Sequence, residues 1–447
     1  MAITNVNWNA SATTNRTAIQ SAVNGGGARL VYDALHPVWD VDVASDPANA
    51  DASVDPANPS SRKNRQVAIE MVNGSSLILD AGVTLQAAAN FFHSIRACLV
   101  GVYSDSLGTA VNNVTISGGA NSTLKMQIAD YAAAAYLFGG VRSEWRHAVE
   151  ACGVNGLTIS DLTILNSGGD GLYIGPDEPY TGGTFPLGTY DPTISVPCSN
   201  VNILRCVGDN PTRNGCSIMS CSGLLMDGCT LKNAAILNPR SGLCVEPYHP
   251  HQTLLRIEVK NCNFLTNVIS GVIVDLSFLD TTQVVGLSVH SSSISGSSGG
   301  GINYNNGAVG PKAGSVVDFS DILLDSNVWG VYMTWLYPAQ TSLLFRRLVQ
   351  VNTTTQPFEF LFNGTNPASP GAGGVCFDDC SVEDAVDQAL LKISGTNPLA
   401  ASQRFAGSIL WKPTGAFTAA QALTLLPSML VQRADQRGIA GRRMLYG

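Results

Sequence analysis

Two acidic residues stand at the same place in successive repeats of this chain: Glu246 and Asp275 are each the fourth residue after a glycine, in GLCVE (242–246) and GVIVD (271–275). If the repeats stack, the two carboxylates lie one strand spacing apart, roughly 4.8 Å. Like charges that close repel, so one carboxyl keeps its proton at a pH where its neighbour is ionised. A proton donor beside an ionised carboxylate is what glycosidic hydrolysis requires, and their separation sets whether the second group attacks directly or activates water. The same column reads alternatively as a solvated acidic face, or as a calcium site completed by Asn305. Two further candidate acids lie at turns, Asp170 before the glycine of GLYIG and Asp209 in DNPTRNG. Asp is also a common turn former, so each has a purely structural reading.

Side chains able to hold a substrate gather around these acids. Arg213, Arg240, Tyr248, His249 and His251 fall near Glu246 in sequence or by stacking. In a hydrolase they would bind hydroxyls or a substrate carboxylate, a task suited to the planar guanidinium. In a lyase or epimerase, Tyr248 or His249 would instead remove the proton beside a uronate carboxylate while an arginine neutralises that group. His251 reads as an ordinary surface histidine. Trp145, Arg146 and His147 follow a long insertion, and Trp145, Tyr173 and Tyr180 are candidate platforms for the C–H face of a sugar. GGDGLYIG is not a nucleotide loop, since neither a following helix nor a Lys-Ser/Thr pair accompanies it.

The elements that must position these residues are short repeats. A glycine followed by alternating apolar residues recurs in GLYIG (171–175), GCSIM (215–219), GLCVE, GVIVD, GINYN (301–305) and GVYMT (330–334), and the last four intervals are 27, 29, 30 and 29 residues. A near-constant period of short alternating segments predicts a β-solenoid in which each turn stacks on the one before. Alternation sends positions one and three after the glycine inward, and two and four outward. With 447 residues, 45 glycines and only 13% charged residues, the chain reads as one long all-β domain over 1–447, with regular rungs across 111–395. Long loops are expected at 40–65 and as insertions at 118–146 and 176–197. Thr14–Val23 reads as a short capping helix with Thr14 or Asn15 as N-cap, and 419–436, within a tail from 415, as helix-like. Cys206, Cys229, Cys262 and Cys380 occupy similar rung positions and are expected as an inward stack of small apolar residues. No cofactor is implied beyond the possible calcium.

A net charge of −8 without a basic run argues against nucleic acid and anionic membranes as partners. No apolar stretch approaches the ~20 residues of a membrane span. The start, MAITNVNWNASATTNRT, has no signal segment, so the expected secreted or periplasmic location supposes a leader removed from this sequence.

The succession of repeats resembles the right-handed parallel β-helix superfamily of pectate lyases, polygalacturonases and alginate epimerases. EWRHAV (144–149), GGDGLYIG (168–175), DNPTRNGCSI (209–218) and SGLCVEPYHP (241–250) resemble carbohydrate-active bacterial members. The paired-Asp, Gly-His-Gly and Arg-Ile-Lys motifs of polygalacturonases are absent, and Glu246-Pro247-Tyr248-His249 is only a distant echo of the Asp-Pro-His motif of the epimerases. The resemblance implies polysaccharide chemistry: a glycoside hydrolase first, a polysaccharide lyase or C5-epimerase second, and a non-catalytic glycan-binding adhesin or tailspike third. The mostly polar outward columns favour a monomer over the trimer of an adhesin.

Overall fold

A strand that alternates inward and outward residues buries one face only when strands of the same pattern lie above and below it. The structure, a computed structural model, describes residues 2–43, 65–92, 96–103, 109–133, 137–138, 141–176, 180–181, 189–190, 195–306, 311–335, 341–362, 374–384, 391–395, 405–413 and 429–433. The chain divides into two compact units, residues 1–240 and 241–447, and both are built from stacked parallel strands.

In the first unit the chain visits three ladders in turn. Val154–Ser160 pairs in register with Cys198–Leu204, which pairs with Cys221–Asp227. Thr163–Leu165, Val207–Asp209 and Thr230–Lys232 form the second ladder. The third runs through Arg65–Met71, Arg96–Tyr103, Val149–Cys152, Leu172–Gly175 and Cys216–Ile218. Left-handed residues turn the chain between ladders, and a short polar side chain tolerates that conformation best. Asn166, Asn210 and Asn233 have φ of 61, 55 and 62°, and Asn210 Nδ2 donates to Asn166 Oδ1 at 2.8 Å. These ladders make the architecture a parallel β-helix.

The second unit repeats the pattern with longer strands. Val285–Ser295 and Ser315–Asp325 pair parallel, and Ser241–Val245, Ser270–Asp275, Gly300–Asn305, Trp329–Trp335 and Gln356–Phe362 stack in sequence order. Leu243, Val272, Ile302, Val331 and Phe358 form one fully buried column, as the glycine register predicts. The glycine is required by close approach: a Cβ on Gly271 would lie 2.1 Å from Ile294 Cγ2.

Cys206, Cys229, Cys262 and Cys380 are all buried and free, with the Cys229 thiol 3.4 Å from the Cys206 amide. They fill the interior as the small apolar residues expected.

The structure corrects several boundaries. The first helix is Ala12–Asn24, and its N-cap is Ser11, whose side chain accepts from the Thr14 amide. Asn15 is instead buried, donating to the Asn9 and Asp40 carbonyls. The insertion expected from 118 begins later, because Thr123–Lys125 is a rung strand paired with Thr84–Ala87 and Thr163–Leu165. At the C-terminus Met429–Arg433 is a strand paired with Phe405–Pro413 and not helix: Pro427 opposes a continuous helix and the neighbouring strand offers backbone partners. Residues 44–64 of the first expected loop, 177–179, 182–188 and 191–194 of the second insertion, and most of the tail lie outside the described residues. Among the described residues, no helix is long and apolar enough to cross a membrane.

Candidate functional site

In the first unit, the outward column of the third ladder is polar and covered. Register places Glu150 beside Gly101 on one side and Tyr173 on the other, and Tyr173 beside Ser217. These residues point away from the core, as alternation predicts, yet Glu150 and Ser217 are 0% exposed and Tyr173 only 6%. This corrects the expectation of an open outward face. The His147 ring stacks on Tyr173 at 4.8 Å, and Trp145 meets the same ring edge-on at 6.1 Å.

Glu150 is the centre of a buried charge cluster. Arg96 Nε donates to its Oε1 at 2.7 Å and Nη2 reaches the same oxygen. The Tyr103 hydroxyl donates to Oε2 at 2.6 Å, and Cys98 Sγ lies 3.1 Å from that hydroxyl. Burial disfavours the Arg96 charge, but Glu150 beside it prevails and holds the guanidinium pKa above its ordinary value. The guanidinium also lies over the Trp145 ring, 5.2 Å from its centroid.

Asp170 and Arg213 form a second cluster. Asp170 is fully buried; its carboxylate accepts the Asn214 amide at 3.0 Å and Arg213 Nη1 at 3.2 Å. Burial pushes the Asp170 pKa up to about 6, against the opposing effects of Arg213, Ser217 and the Asn214 amide and with Glu144 raising it further. His147 Nδ1 accepts the Asp170 amide at 3.0 Å, which fixes the ring as neutral at that nitrogen.

In the second unit, Glu246 directly follows the strand Ser241–Val245 and is half-buried. Its Oε2 accepts from the Tyr248 hydroxyl at 3.3 Å and lies 3.6 Å from Cys244 Sγ. The in-register pair Val245 and Val274 puts Glu246 and Asp275 at matching places on successive turns, and Asp275 pairs in turn with Asn305. Tyr248 meets the half-exposed ring of Phe278 edge-on at 6.4 Å. His249 is buried, and burial followed by nearby His251 holds its pKa below the ordinary value. His251 is partly exposed near Asp280 at 3.8 Å.

The remaining candidates are dispersed. Asp209 belongs to the second ladder, where it meets Lys232 at 3.2 Å and Asn233 at 2.7 Å. This corrects its expected place at the edge of the glycine-bearing sheet: the PTRNG turn separates it from that sheet. Arg146 is fully buried with its guanidinium over Tyr131 at 5.1 Å. Arg240, at φ 52°, follows the cis Asn238–Pro239 bond. Tyr180 lies in a two-residue strand paired with Thr189–Tyr190, and its side chain lies outside the described residues.

Sequence reasoning missed Arg96, Tyr103, Glu144, Glu150 and Phe278. The available signal for Glu150 was its outward position between the inward Val149 and Ala151. Among the described residues no three His, Cys, Asp or Glu side chains gather into a metal-binding group.

No protein-family model and no curated protein matches the chain. Solved structures that resemble it include the surface protein and adhesin PfbA of Streptococcus pneumoniae, at 10% identity over 94% of this chain and 93% of that one, with a TM-score of 0.42. A polygalacturonase from Erwinia carotovora ssp. carotovora is similar at 10% identity over 96% and 94%, TM-score 0.39. The A-module of the mannuronan C-5 epimerase AlgE6 of Azotobacter vinelandii is similar at 11% identity over 94% and 96%, TM-score 0.34. At these values the likenesses carry nothing about the reaction, which rests on the residues.

Proposed function

We propose that the chain is a carbohydrate-active β-helix protein and that its reaction is glycosidic hydrolysis centred on Glu246. The observation that carries this reading is a half-buried carboxylate held by a tyrosine hydroxyl, with a second carboxylate, Asp275, at the matching place of the next turn. Glycosidic hydrolysis uses one such carboxyl as proton donor and the other as an ionised partner. Phe278 and Tyr248 add apolar ring surface of the kind that meets the C–H face of a sugar.

The Tyr248–Glu246 hydrogen bond also favours a second reading, lyase or C5-epimerase chemistry. A phenol that abstracts a proton beside a uronate carboxylate must first lose its own, and Glu246 lies where it could receive it. Calcium on the Asp275 and Asn305 column belongs to either reading, and a chelator titration tests it. A secreted or periplasmic location is part of the same proposal.

The test is product analysis on a panel of neutral and uronate-containing glycans, with reducing ends and ultraviolet absorbance recorded for wild type and Glu246→Gln. Hydrolysis predicts new reducing ends without absorbance and a loss of roughly 100-fold or more in the variant, the scale of removing a positioned acid or base. Absorbance at the new chain ends moves the assignment to lyase chemistry. With neither signal, a changed uronate C5 configuration read by NMR marks an epimerase, and binding without that change marks a glycan-binding protein.

A further inference from the structure

Arg213 has one carboxylate more than its charge requires. Its Nη1 meets Asp170 Oδ2 at 3.2 Å and Ser217 Oγ at 3.4 Å, while its Nε meets the Asn238 carbonyl at 3.2 Å. Asp170 is completely buried, so this pair alone balances the guanidinium. Glu144 Oε2 nevertheless lies 3.2 Å from Nε, and the two side chains differ sharply in exposure, 41% for Glu144 against 6% for Arg213.

A buried pair with additional hydrogen bonds is fixed, because removing one partner strands the other. Glu144 keeps much of its side chain in water, and water competes for the charge of such a carboxylate, which makes its contact the weaker of the two. The Asp170 contact is therefore permanent and the Glu144 contact exchangeable. The adjoining residue, Trp145, is partly exposed and meets the Tyr173 ring edge-on. One face of that indole lies under the Arg96 guanidinium; a sugar that bears a carboxylate matches this segment if its ring meets the other face and its acid group takes the Arg213 guanidinium.

We infer that Glu144 is a stand-in for the carboxylate of an acidic sugar, occupying a uronate subsite on Arg213 until the ligand displaces it. The inference rests on the carbohydrate reading above but requires neither Glu246 nor any reaction. It names Arg213 as the selector of acidic over neutral sugars and Glu144 as an internal competitor.

The test is calorimetric titration at low salt with galacturonate, glucuronate and mannuronate oligosaccharides and with their methyl esters. Wild type, Glu144→Ala and Arg213→Lys are compared, all carrying Glu246→Gln so that turnover does not intrude. Glu144→Ala is expected to bind at least one acidic oligosaccharide about 2- to 5-fold more tightly, the equivalent of removing up to about 1 kcal/mol of competition. Its affinity for the corresponding ester is expected to stay unchanged. Arg213→Lys is expected to weaken the preference for acid over ester without abolishing it, because the ammonium keeps the charge and loses the planar donor fork. Because Glu144 is only half-buried and Asp170 still pairs with Arg213, its truncation is expected to leave the fold intact, which unchanged thermal unfolding verifies. Equal or weaker acid binding in Glu144→Ala, an undiminished preference in Arg213→Lys, or no binding of any acidic oligosaccharide overturns the proposal. Activity retained in Glu246→Gln would sink the hydrolase assignment and leave this result standing.

Discussion

Asp170 is where burial, charge and function meet at the scale of one side chain. Its carboxyl is pushed up to about 6 mainly by burial, from an ordinary value of 3.8. Below pH 3.8 the group is protonated in both folded and unfolded chains. Between 3.8 and about 6 the unfolded chain releases the proton while the folded one retains it, so stability falls as pH rises through that window and levels off above it. At about 1.4 kcal/mol per unit the change is on the order of 3 kcal/mol. Urea unfolding of wild type and Asp170→Asn from pH 3.5 to 7 checks this. The stability of wild type relative to the variant should decline across the window, whereas parallel curves would show that Asp170 titrates alike in both states. The groups facing it, Arg213, Glu144 and the His147 ring, remain in both proteins and largely cancel in that difference.

Elements here are stabilised by columns more than by individual strands. In the second unit Phe319, Phe345 and Phe377 stack with centroids 5.6 and 5.3 Å apart, and Phe358 meets Phe377 edge-on at 5.1 Å. All four are fully buried. Removing the middle ring forfeits contacts on both sides and leaves a cavity that a ladder of fixed spacing cannot close. Phe345→Ala should therefore cost about 3–5 kcal/mol, read as a lowered denaturation midpoint with an unchanged slope. A cost near 1 kcal/mol would mean that neighbouring turns collapse into the gap. Phe319, Phe345 and Phe377 are lined up by in-register pairing of strands that keep the same inward phase.

For the whole molecule, the eleven cysteines make the most general prediction. All are free, and only Cys376 is half-buried while the others are buried. Burial pushes the Cys221 thiol up to about 12 and Cys380 up to about 11, and a thiol so raised forms little reactive thiolate at neutral pH. A thiol reagent at pH 8 should consequently label at most about one cysteine in the native protein and eleven in denaturant without reductant. Fewer than eleven after unfolding would reveal disulfides. Prior reduction should leave thermal stability unchanged, since the thiols act through packing and not through cross-links.

The sequence by itself determined the parallel β-helix, the rung register, the glycine column and the inward cysteines. These depend on local alternation and on a repeat period, and stacking identical patterns in register adds no further choice. It also placed Glu246 and Asp275 on matching positions, because both are counted from the same kind of glycine. Only the tertiary structure decided that the outward face around Glu150 is covered, and that Asp209 stands on a different ladder from Asp170. Arg96 and Glu150 are 54 residues apart and Arg213 and Asp170 are 43 apart. Glu144 reaches Arg213 from a segment outside the regular rungs. Rung phase tells which way a side chain points, but what it meets there depends on insertions that do not share the repeat, and their path is set by long-range packing.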